Sequence, residues 1–191
     1  MSTLSWQNSL RTKLAKHPRP RVAILGIGNE LRGDDAAGVI VARELQSIVG
    51  ASLALAPGDR HAARSMRHLR GSPLHIIDAG AVPEAFTGQL RRFDPDLVIM
   101  IDAAQMDQPP GTIRLIEWQD TLGLSASTHS LPLNVIAQYL ISELKCEVIL
   151  IGLQPEANEF DTPLSPVMRH AVDEVIGELR SIGSNQELPM S

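Results

Sequence analysis

Residues 97–102, Leu-Val-Ile-Met-Ile-Asp, form an unbroken apolar run that ends in a carboxylate. Such a run is expected of a strand covered on both faces, and those strands belong to parallel sheets with helices on either side. Two further segments have the same form. Val22-Ala23-Ile24-Leu25 leads through a glycine turn, Gly26-Ile27-Gly28, to the adjacent acids Asp34 and Asp35. Leu74-His75-Ile76-Ile77 stops at Asp78. In a parallel sheet the carboxyl ends of the strands lie along one edge, and ligands of such folds bind there.

The rest of the chain fits strands alternating with helices. A helix is expected over 35–49, with Ala37, Val41, Leu45 and Ile48 on one stripe and Gly50 closing it. Residues 51–56 read as a short strand, 60–69 as a polar helix and 82–92 as a helix. Residues 112–118 suit an edge strand, and 147–151 a buried one. Ser130 is a candidate N-cap for a helix over 132–144, with Pro132 in its first turn. Ser165 and Pro166 open a last helix, with Val167, Ala171, Val175 and Leu179 as its stripe and Gly183 as its stop. The expected fold is α/β: a single doubly wound, mostly parallel sheet flanked by helices. Residues 1–20, with Leu4, Trp6, Leu10 and Leu14, are expected to lie outside the core as an N-terminal extension. The α/β domain is then 21–183, and 184–191 a loose tail.

Composition narrows the function. The 191 residues carry a net charge of −5 and only 3% aromatics. That gives neither the basic footprint nor the stacking platforms of a nucleic-acid binder. Basic residues do cluster at Arg11, Lys13, Lys16, Arg19 and Arg21, and again at Arg60, Arg64, Arg67 and Arg70. Both clusters read as solvated faces. No apolar run reaches the ~20 residues of a membrane span. The single cysteine, Cys146, forms no internal disulfide and suits a reducing compartment. A cytoplasmic protein, with no membrane or nucleic-acid partner, is expected. A monomer is expected as well.

Asp34 and Asp35 at the mouth of the sheet argue for a cation site rather than a phosphate cradle. Gly26-x-Gly28 does open like a dinucleotide-binding turn, but the third glycine of that fingerprint falls on Leu31. Asp35 and Asp102 lie 67 positions apart, yet the sheet edge brings them near each other. His129, in Ser127-Thr128-His129-Ser130, precedes a helix and can reach the same edge. Two carboxylates and an imidazole make an O,O,N set for a borderline divalent metal, with positions left open. Each residue also has an ordinary reading. Asp35 suits a helix cap, His129 a surface or capping histidine, Asp78 a turn cap and His75 a packing residue. No Gly-x-Ser-x-Gly elbow occurs, and Cys146, at the start of a buried strand, reads as a structural thiol.

Gly26-x-Gly28-Asn29-x-Leu31-x-x-Asp34-Asp35-x-x-Gly38 resembles the opening signature of the nickel–iron hydrogenase maturation endopeptidases. Four later segments resemble that family in the same order. They are Val98-Ile99-Met100-Ile101-Asp102-Ala103, Pro110-Gly111-Thr112-Ile113-Arg114, Thr128-His129-Ser130-Leu131-Pro132-Leu133-Asn134 and Ile151-Gly152-Leu153-Gln154-Pro155-Glu156. The last two are most similar to the hydrogenase 3 (formate-hydrogenlyase) type. One departure is Ala36, where many members have glycine.

The resemblance implies a doubly wound α/β fold. It also implies a peptidase that removes a C-terminal extension from a hydrogenase large-subunit precursor after nickel insertion. The family's metal-contacting residues fall on Asp35, Asp102 and His129, which are then the catalytic and nickel-binding residues. Nickel arrives with the precursor, and the isolated protein is expected to be metal-free. Asp34 and Asp35, as chain neighbours, cannot face each other as an aspartic dyad. Two other classes stay open: a nickel-dependent docking or escort factor without peptidase activity, and a nucleotide-binding module.

Overall fold

The computed structural model describes residues 5–54, 74–121 and 131–186. Five strands form one sheet: β1 (Val22–Ile27), β2 (Leu74–Gly80), β3 (Leu97–Ala103), β4 (Ile113–Glu117) and β5 (Glu147–Leu153). Their spatial order is β2-β1-β3-β5-β4, parallel throughout except for β4, which pairs antiparallel with β5 at the edge. Among the described residues five α-helices accompany them: α1 (Trp6–Leu14), α2 (Ala37–Ala54), α3 (Thr87–Phe93), α4 (Leu133–Leu144) and α5 (Pro166–Gln186). This is the doubly wound α/β architecture expected from the apolar runs.

Alternation along the central strands builds two cores. Val22, Ile24, Leu97, Ile99, Ile101, Ile149 and Ile151 pack with α1, α2 and α5. Ala23, Leu25, Val98, Met100, Val148 and Leu150 pack with Leu90 and Phe93 of α3 and with Ile136 and Leu140 of α4. The central strands β1 and β3 are buried at every position, which is why they read as continuous apolar runs rather than alternating ones. His75 is the packing residue expected, its ring 5.1 Å from that of Phe93. Burial lowers its pKa from the usual histidine value, partly offset by a hydrogen bond with Gln89.

Several boundaries differ from the sequence expectation. Gly50 does not close α2, which continues to Ala54 and so replaces the start of the strand expected at 51–56. A glycine inside a helix costs about 1 kcal/mol, which a continuing helix can absorb. Gly183 likewise lies within α5. The stripe of α5 is Met168, Ala171, Val172, Val175, Ile176 and Leu179, while Val167 is partly exposed. The segment 82–92 begins as a 3-10 turn, Pro83–Phe86, before α3. Ser165 caps α5 as expected, its hydroxyl accepting from the Met168 amide at 3.2 Å. The helix over 60–69, the basic run 60–70 and the Ser130 cap lie outside the described residues.

The largest correction concerns the N-terminus. The segment expected outside the core folds as α1, and Trp6, Leu10 and Leu14 join the core beside α5. The Trp6 indole donates to Glu174 at 2.9 Å. Arg11 makes a two-pronged ion pair with Glu178 at 2.7 and 2.8 Å, and Lys13 reaches Glu117 of β4 at 2.7 Å. The basic run near the start is therefore partly a set of docking charges. Such solvent-screened pairs contribute little, so the apolar stripe supplies most of the attachment.

Leu10 is fully buried. Leu10→Ala is expected to destabilise the protein by about 2–5 kcal/mol, read as a lower urea midpoint with an unchanged slope. A helix lying outside the core would give no change.

Candidate functional site

The strand order reverses between β1 and β3. From β1 the chain goes through α2 to β2 on one side, then returns across β1 to β3 on the other. That reversal opens a crevice beyond the carboxyl ends of β1 and β3, the usual ligand site of open α/β sheets. Asp35 follows β1 and Asp102 lies near the end of β3, so both expected acids border this switch point. They are 1% and 2% exposed. A carboxylate buried to that degree needs compensation by hydrogen bonds, ion pairs or a metal.

Glycine makes the junction possible. Gly26 pairs with Ile101 in the sheet. A Cβ on Gly38 would lie 2.1 Å from the Ile101 carbonyl oxygen and 2.3 Å from that of Ile27. The first turn of α2 therefore rests on the backbone of β1 and β3, with Asp35 three residues before the contact and Asp102 one residue after it. Gly28 has φ +143°, and a Cβ there would fall 1.8 Å from the Asp35 carbonyl oxygen. The turn closes on itself through the Asn29 amide, which donates to the Asp35 carboxylate at 3.1 Å and approaches its carbonyl at 3.2 Å. The Asn29 side chain in turn accepts from the Leu31 amide at 3.0 Å.

The two adjacent acids do different jobs. The sequence reads the pair as a sign of a cation site with Asp35 as the ligand, and Asp34 is a structural acceptor. It is completely buried. One oxygen accepts from the Ser165 amide at 2.7 Å. The other accepts from the Glu156 amide at 2.8 Å, the Ala157 amide at 3.4 Å and the Ser165 hydroxyl at 2.9 Å. Its own amide donates to the Ala157 carbonyl at 3.1 Å. Successive residues in a tight turn project in different directions, so Asp35 does not share these donors and instead accepts the Asn29 amide.

A further buried polar residue, Gln154, stands in the sequence only as part of a motif. It is 3% exposed. Its carbonyl oxygen accepts from the Met106 amide at 2.7 Å and the Gln108 amide at 3.3 Å, and its amide group donates to Gln105 at 3.1 Å. It thereby pins the turn that follows Asp102. A buried amide directly after a strand that ends in Gly-x-Gln-Pro is the only sequence signal that pointed to it.

The remaining expected residues resolve as follows. Asp78 pairs with Arg43 at 2.6 Å, and Arg43 also pairs with Glu30. His129 lies outside the described residues, as do its neighbours 122–130. Among the described residues no group of three or more His, Cys, Asp or Glu side chains is placed to hold a metal ion. Val98 and Met100 face α3 and α4, so strand alternation puts Asp102 toward that same layer. α4 ends where β5 begins, so it runs back along the sheet and starts at the carboxyl edge. Cys146 is the structural thiol expected: burial pushes it up to about 11, and its sulfur lies 3.8 Å from the Leu140 carbonyl. No helix among the described residues is long and apolar enough to cross a membrane.

Comparison with known proteins identifies a family and relatives of the same fold. A family model described as HycI, hydrogenase maturation protease, matches residues 61–182. The hydrogenase 3 maturation protease of Escherichia coli K12 is 31% identical over 166 residues, covering 85% of this chain and 90% of that protein. The crystal structure of a nickel–iron hydrogenase maturation protease HycI from Thermococcus kodakarensis superposes with a TM-score of 0.68 at 29% identity, covering 86% of this chain and 92% of that one. The solution structure of the Escherichia coli endopeptidase HycI gives a TM-score of 0.63 at 29% identity, covering 88% and 95%.

The glycine contact is directly testable. Gly38→Ala is expected to destabilise the fold by about 3 kcal/mol or more, because its Cβ meets backbone that cannot move aside. A Cβ on Gly177 in α5 would meet nothing within 4 Å. Gly177→Ala is therefore expected to stabilise by about 0.5–1 kcal/mol in the same urea titration.

Proposed function

This chain belongs to the hydrogenase maturation protease family, and from that premise we propose that it cleaves a C-terminal extension from a nickel–iron hydrogenase large-subunit precursor, recognising nickel already seated in that precursor. The peptidase role in hydrogenase maturation follows from the family. The nickel recognition, the C-terminal cut and the identity of the precursor are the proposal. The observation that carries it is the burial of Asp35 and Asp102 on the two sides of the switch point.

In this reading the substrate brings its own recognition element. Asp35 and Asp102 supply hard oxygen donors, and His129, four residues ahead of α4, supplies a borderline nitrogen. A set of three leaves coordination positions for ligands that stay with the precursor, as a closed four-ligand site would not. Docked nickel fixes the scissile peptide within reach of a water molecule. A carboxylate of the pair takes the proton of that water, or the substrate's metal polarises it. The polypeptide character of the substrate suits the rim of the crevice. Leu31 is 57% exposed and Phe160 67% exposed, and their segments are joined by the Asp161 amide donating to the Leu31 carbonyl at 2.8 Å. Buried acids at the mouth of β1 oppose the pyrophosphate of a dinucleotide, which weighs against the nucleotide-binding reading. The lone, buried cysteine suits a cytoplasmic site of action.

The test is incubation of the purified protein with purified nickel-loaded precursor and no other protein. Cleavage is expected, and metal-free precursor should resist it. Asp35→Ala, Asp102→Ala and His129→Ala are each expected to lower processing by at least about 10²-fold with the fold intact. Asp78→Ala should matter less. Binding of the precursor without cleavage would favour the escort factor. Normal processing by Asp102→Ala would overturn the site.

A further inference from the structure

The neighbour of one crevice acid, Asp34 beside Asp35, and the turn beyond the other, Asp102, are held from a single segment. Residues 154–165 leave the end of β5 and enter α5. At their start Gln154 accepts from the Met106 and Gln108 amides, fixing the turn after Asp102. Two residues on, the amides of Glu156 and Ala157 donate to Asp34, the neighbour of Asp35. At the far end Ser165 adds both its amide and its hydroxyl to Asp34. Between these points the Asp161 amide holds the Leu31 carbonyl, and a Cβ on Gly33 would fall 2.6 Å from the Thr162 hydroxyl. The β5–α5 segment thus lies tightly along the acidic turn and also grips the turn beyond β3.

We infer that Asp34 and Gln154 are positioning residues, and that through the shared segment 154–165 they set the spacing of Asp35 and Asp102 for catalysis. This rests on the reading of Asp35 and Asp102 as the working pair. Neither Asp34 nor Gln154 is a metal ligand or a proton carrier here. Asp34 has both oxygens committed to donors from residues more than 120 positions away. An ion shared by two carboxylates tolerates little error in their separation, and a displacement of about 1 Å can cost about 10²-fold in rate. An anchor common to both acids keeps that separation constant when either turn moves.

Asp34→Asn keeps the shape of the side chain but sets an N–H group against N–H donors. Processing of nickel-loaded precursor should lose about 10²-fold in kcat with little change in KM, at a temperature where the variant is fully folded. The Asn29 amide, which donates to Asp35, should exchange with solvent faster, while the strand amides of Ile24 and Ile99 keep their protection. Leu10→Ala, which opens a cavity in α1, serves as the control. It should lower Tm without altering kcat or Asn29 exchange.

The inference is overturned if Asp34→Asn retains kcat within about twofold, or loses it only with the folded fraction as Leu10→Ala does. Should Asp34→Asn not fold, Gln154→Met tests the same anchor from the other side, with the Met106 amide as reporter. Wild-type kcat in that variant, despite faster Met106 exchange, also overturns the inference. Asp35→Asn and Asp102→Asn are run alongside. If they still process the precursor, the working pair itself is wrong, whatever Asp34 does.

Discussion

The contact of α2 with the backbone of β1 and β3 governs the geometry of this protein. Gly38 touches the carbonyls of Ile27 and Ile101, so the helix sits lower on the sheet than any residue with a side chain would permit. That depth brings the turn ahead of α2 down to the carboxyl end of β3. It also explains why the glycines cluster where they do, since Gly26 and Gly28 border the same closure. A site at the switch point follows from the topology. The close seating of the turn that carries Asp35 on the backbone of β1 and β3 follows from the glycines.

Burial of these acids demands accounting. Isolated carboxylates in a protein interior are unstable unless hydrogen bonds or opposite charges compensate them. Asp34 is compensated by four donors, two of which belong to one residue, Ser165. Its charge serves to fasten a distant segment, and the N-terminus of α5 adds a favourable dipole. Asp35 receives the Asn29 amide within its own turn. The chain therefore uses one carboxylate to fasten a distant segment and the next to close its own turn. An aspartic dyad built from chain neighbours is ruled out by this division of labour.

Much of the fold was legible before the structure. The apolar run ending at Asp102 was a strand because a parallel strand buried on both sides must be apolar at every position, while the run ending at Asp78 is a half-buried edge strand that tolerates His75. The edge strand at 113–117 was legible from its partial alternation. Other elements were not. Helix α1 looked detached because nothing local reveals that Trp6, Leu10 and Leu14 will find α5, some 160 residues later. Gly50 and Gly183 looked like helix stops because a glycine's local cost was weighed without the packing that outweighs it.

The candidate site divides along the same line. By itself the sequence determined that acids would stand at the ends of apolar strands, and its motifs determined the family. Those properties depend on residue type and spacing, which the chain carries locally. Only the tertiary structure decided that β1 and β3 are neighbours at the switch point and that Asp34 is spent on the β5–α5 segment. Gln154, too, took on meaning only when folded. Hydrogen bonds between residues more than 100 positions apart leave no periodicity to read, since a donor that is a backbone amide can come from any residue in the chain.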